Sequence, residues 1–74
     1  MEVESQDFYL SAYLCQQGLT LKDVRKYGTR HLFVFEDDEE FQRLKRAYYW
    51  NEARVDPLIF KQQIRTLKGL TMNR

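Results

Sequence analysis

The chain has 74 residues, with 12 Lys or Arg against 11 Asp or Glu and a formal net charge of +1. That length holds one domain and excludes an enzyme built from separate cofactor and substrate domains. With 43% hydrophobic and 15% aromatic residues, the composition excludes a disordered tail. The balanced total hides a division: residues 1–40 hold nine acids and four Lys or Arg, a net of −5, whereas residues 41–74 hold two acids and eight Lys or Arg, a net of +6.

The reading is a single α+β domain over residues 1–74. In chain order it has a helix, a β-hairpin and two C-terminal helices, with room for a short extra strand at residues 2–5. The first helix starts near Ser5 or Asp7, either of which suits an N-cap, and stops at Gly18. Phe8, Ala12 and Cys15 form one stripe, and Leu10 and Leu14 form another on nearly the opposite side. A helix apolar on two sides needs two covers. One is expected to be a sheet, the other a further helix or a second copy of the chain.

Residues 19–27 form the first hairpin strand. Its alternation slips between Leu21 and Val24, the mark of a bulge or twist. Gly28 and Thr29 turn the chain, and His31 to Phe35 is a continuous apolar run, as in a strand buried on both faces. The acidic run Glu36 to Glu40 reads as a helix start, with Asp37 and Glu40 as a capping-box-like pair. The second helix spans about Asp38 to Asn51, with Phe41, Leu44 and Tyr48 towards the core and Arg43, Arg46 and Trp50 on the opposite face. Asp56-Pro57 starts the third helix. Phe60, Ile64, Leu67 and Thr71 form its core stripe, and Lys61, Arg65 and Lys68 run along its flank. Gly69 is its expected end, leaving about the last four residues frayed.

These residues carry a resemblance over almost the whole chain. Ser5-Gln6-Asp7, Leu10, Ala12, Leu14, Gly18, Phe33-Val34-Phe35-Glu36-Asp37, Tyr48, Asp56-Pro57 and Leu67-Lys68 together resemble a family of short bacterial and phage proteins catalogued only as a domain of unknown function. The resemblance implies a compact stand-alone bacterial domain and assigns no activity, ligand or catalytic residue. Tyr13 departs from the pattern, where a smaller or aliphatic residue is expected.

The residues supply little for catalysis, and the expectation is a protein that is not an enzyme. His31 is the only histidine and opens a strand, where a structural or solvent-facing role is expected. Cys15 lies on an apolar helix face with no cation near it in sequence, as an inert small hydrophobe does. One cysteine makes no internal disulfide, and no Cys/His cluster suits a metal, so no cofactor is expected. Nothing approaches the roughly 18 apolar residues of a membrane span. The acidic N-terminus is unlike a signal peptide, and a lone cysteine fits a reducing interior, so the expected location is the cytoplasm.

Binding is better supplied. Lys22, Arg25, Lys26 and Arg30 cluster on the hairpin, with Lys22 and Lys26 expected on one strand face and Arg25 on the other unless a bulge intervenes. Arg43, Arg46, Tyr49 and Trp50 add basic and aromatic groups from the second helix. The favoured reading is a non-catalytic protein-interaction module whose partner is another protein or a second copy. The alternative is a small nucleic-acid-associated accessory protein using the basic and aromatic face. The net charge of +1 weighs against generic nucleic-acid binding, whose affinity comes from neutralising phosphates.

Overall fold

A computed structural model describes residues 1–72. Its elements are β1 (Glu2–Ser5), α1 (Phe8–Gln16), β2 (Asp23–Tyr27), β3 (Arg30–Glu36), α2 (Glu39–Tyr49) and α3 (Pro57–Met72). The strand order is β1-β3-β2, antiparallel throughout. The continuous apolar run therefore forms the central strand, flanked on both sides, and the N-terminal residues supply the third strand. Val3 and Ser5 stand opposite Phe35 and Phe33, and Val24 stands opposite Phe33 from the other edge. Side chains alternate along a strand, so these five share one face. That face meets the helices: the Phe33 ring lies 5.6 Å from Phe8 and the Phe35 ring 6.0 Å from Phe41.

β2 is shorter than expected. Leu19 and Leu21 pack against the core from an irregular segment ahead of it. The slip in alternation is real. The Lys22 amide donates to the Val34 carbonyl at 2.8 Å, although Asp23 is the residue opposite Val34. Two successive residues address one on β3, as at a bulge. The bulge changes the alternation, as allowed for in the sequence, and Lys22 and Arg25 consequently share a face.

The Asp7 side chain caps α1, accepting from the Leu10 amide at 3.0 Å. At its other end Gly18, with φ +98°, permits bonds from the Gly18 amide to the Cys15 carbonyl and from Leu19 to Leu14, a Schellman stop. Leu10, Ser11, Ala12, Tyr13 and Leu14 are all buried. Both covers of this two-sided helix come from within the chain: the sheet on one side, and α3 with α2 on the other. The second copy invoked as an alternative cover is not needed for α1. Tyr13 fits because its ring packs 5.8 Å from Tyr48 on α2.

α2 is capped by Asp38, one residue later than the expected Asp37–Glu40 pair. Asp38 Oδ1 accepts from the Phe41 amide at 2.8 Å, while Asp37 accepts from the Gln42 side chain. Phe41 and Leu44 are buried. Past the end of α2, Asn51 has a φ of +61° and takes the left-handed role that Gly18 takes after α1, with Glu52 donating to Ala47. Asp56 caps α3 through the Leu58 and Ile59 amides. Gly69 does not end this helix, which continues to Met72. Phe60, Ile64 and Leu67 join the core cluster, α3 packs on α1, and glycine costs a helix only about 1 kcal/mol against alanine. The helix thus includes residues 70–72, and residues 73 and 74, where the rest of the expected fraying falls, lie outside the described residues.

Candidate functional site

The candidate binding residues divide into two groups on different faces. Lys22 and Arg25 lie on the sheet face turned away from the helices, with Glu2, Glu4, Asp23 and Glu36. Arg25 bridges Glu2 at 2.7 Å, Glu4 at 3.1 Å and Asp23 at 3.5 Å. Lys22 bridges Glu36 at 3.0 Å and Glu2 at 3.6 Å, and the N-terminal amine reaches Glu36 at 3.1 Å. Because β3 lies between β1 and β2, an Arg25–Glu2 bridge must cross over it, passing above Val34. Val34 is 0% exposed on a face where none of the core helices packs. The ionic layer and its aliphatic stems are its cover.

The electrostatics follow the geometry. The Arg25 guanidinium holds the Glu2 carboxyl below its ordinary value, and Lys22 with the N-terminal amine does the same for Glu36. Glu36 in turn raises Lys22, and the Glu2 and Glu4 carboxylates raise Arg25. Arg30 donates to the Gln6 side chain at 3.2 Å. Lys26 stands opposite His31, on the other face from Arg25. The hairpin cations are thus engaged within the chain, and an anion would have to displace carboxylates to reach Lys22 or Arg25.

The second group lies on α2. Arg43 makes a two-pronged pair with Glu40 at 2.6 and 3.2 Å, which raises the Arg43 pKa. Arg43, Arg46, Ala47, Trp50 and Glu52 line a concavity of about 330 Å³. Asp37, Asp38 and Glu39 share the adjoining hollow with Arg43 and Arg46, so carboxylates border the basic face on that side. Trp50 is 73% exposed. Tyr49 belongs to a different contact. Its hydroxyl donates to Asp7 Oδ2 at 3.2 Å, and its ring packs edge-on to Tyr48. Burial and the Asp7 carboxylate push the Tyr49 phenol up.

Sequence reading missed a second concavity of about 390 Å³, lined by Tyr13, Tyr48, Asn51, Ala53, Val55 and Phe60. Asn at a helix end was the available signal, since it marks where the chain turns out of α2 and opens a space before α3. The reactive groups are dispersed. Cys15 is half-buried, and desolvation pushes its thiol up, away from the thiolate needed for attack. His31 Nε2 is buried with no hydrogen-bond partner. Among the described residues, no three His, Cys, Asp or Glu side chains come together as a metal site, and no helix is long and apolar enough to cross a membrane.

No curated protein and no solved structure matches the chain significantly. A family model described as Domain of unknown function (DUF5659) matches residues 2–73, a span that contains all three strands and all three helices. The chain belongs to this family of domains of unknown function.

Proposed function

We propose that the chain is a non-catalytic protein-interaction module of the cytoplasm, contacting its partner through the end of α2 and the turn into α3. The observation that carries this reading is Trp50, 73% exposed beside Arg46 at the rim of a concavity. Large aromatic and Arg side chains dominate the energetics of protein interfaces. Val55 and Ile59 are also exposed at the turn into α3. A half-buried, raised thiol and a lone histidine support the non-catalytic part, and a single cysteine supports a reducing compartment. The engaged hairpin cations and the carboxylates beside Arg43 favour a protein over a nucleic acid.

The test is photo-crosslinking in cells, with a photoreactive residue at position 50 and a control at position 26 on the hairpin. A discrete protein adduct, or a dimer of the chain, from position 50 alone supports the reading. Absence of any adduct from position 50, or adducts mainly to nucleic acid, overturns it.

A further inference from the structure

Ion pairing uses the chain's cations unequally. Lys22, Arg25 and Arg43 all bridge carboxylates, whereas Lys61, Arg65 and Lys68 on α3 enter no ion pair among the described residues. Residues 57–72 contain no acid that could pair with them along the helix. At 3.6 residues per turn the three fall within about 60° of one another. Leu58 and Met72 lie in the same strip, one at each end, about 21 Å apart along the axis. They are 72% and 84% exposed. The core stripe of Phe60, Ile64, Leu67 and Thr71 is centred about 110° away, so the strip is a flank that α1 does not cover.

We infer that this flank docks an acidic amphipathic helix of a partner protein, with carboxylates spaced i, i+3, i+7 and an apolar residue beyond each end. The spacing follows from charge complementarity. Cations at steps of four and three are met by an antiparallel helix whose carboxylates step by three and four. The apolar ends separate this partner from a nucleic acid. Phosphates would use the cations but leave Leu58 and Met72 exposed, and a +1 chain repays little phosphate neutralisation. The acidic start of α2 does not fit the role, since Asp38 caps the helix and Glu40 is held by Arg43. The inference rests on the protein-interaction reading but uses a surface distinct from Trp50.

The probe is a labelled helical peptide with Glu at i, i+3, i+7 and Leu near both ends, titrated by fluorescence anisotropy at about 50 mM salt, where surface charges are weakly screened. Comparison ligands are the same peptide with Gln for Glu, the same peptide with Ser for Leu, a DNA duplex, and vesicles of phosphatidylcholine with phosphatidylglycerol. The Glu peptide is expected to bind best. The triple variant Lys61→Gln, Arg65→Gln, Lys68→Gln should weaken it about tenfold, with unchanged circular dichroism. Trp50→Ala should leave it within about twofold, since distant sites act independently. If Trp50→Ala abolishes peptide binding while the triple variant does not, the α3 assignment fails and the Trp50 surface stands. Equal binding of the Gln peptide, or tighter binding of duplex or vesicles, overturns the inference.

Discussion

On the outer face of the sheet, Lys22 and Arg25 lie against Glu2, Glu4 and Glu36; on the flank of α3, Lys61, Arg65 and Lys68 lie against no carboxylate among the described residues. Both regions looked basic when the chain was a line of letters. Folding brings the acidic N-terminal strand beside the hairpin, and the hairpin charges become a cover for Val34. No acidic segment is brought to α3 in the same way. The same residue types therefore serve structure in one place and remain available to a partner in the other.

That contrast can be broken most severely through the scaffold that both regions share. Phe33→Ala removes a fully buried ring where the sheet meets α1. Such truncations cost about 3–5 kcal/mol, comparable with the whole stability expected of a domain this small, about 3–5 kcal/mol. Urea denaturation followed by circular dichroism should find the variant largely unfolded in water. A cooperative transition at the original midpoint would contradict this account of the core.

Acid pH tests the sheet side alone. Glu2 and Glu36 have carboxyl values held below the ordinary 4.5. Their contribution is therefore complete above about pH 4.5 and is lost as pH falls through the folded-state values, because the unfolded chain takes up the protons first. Lys22 is shifted upward from 10.5, so its contribution holds below that value and fades as pH rises through the folded one. Thermal melts from pH 7 to pH 3 should show a falling midpoint for the native chain. Glu2→Gln should start from a lower midpoint and lose less of it. An identical slope for both chains would remove the ion layer from the stability argument.

The smallest expected effect sharpens the other side. Changing Lys61, Arg65 and Lys68 together to Gln should alter unfolding free energy by no more than about 0.5 kcal/mol per site, because these side chains hold nothing together. These side chains enter no ion pair among the described residues, so a chemical-denaturation midpoint well below native would show that they are structural, like Arg25.

Much of the fold was legible along the chain. Asp7 and Asp56 as caps, Gly18 as a stop, the β3 run and the core stripes of α2 and α3 all depend on contacts within a few residues. Local reasoning was less exact at element ends. Gly69 looked like a stop, but α3 continues to Met72. Asp37 looked like the cap of α2, but Asp38 holds the Phe41 amide. The candidate site was legible as residue types only: Arg46 and Trp50 are surface groups as expected, whereas Lys22 and Arg25 are engaged by β1.

The sequence by itself determined the α+β class, the helix starts, and the two-sided burial of α1 and of β3, because periodicity and capping are short-range chemistry. Only the tertiary structure decided which charges are spent within the chain. Ion pairing depends on residues more than 20 apart in sequence meeting across β3 in one sheet, and no local pattern encodes that. The net charge of +1 therefore does not reveal that Lys22 and Arg25 are engaged by carboxylates on the sheet face, whereas Lys61, Arg65 and Lys68 enter no ion pair among the described residues.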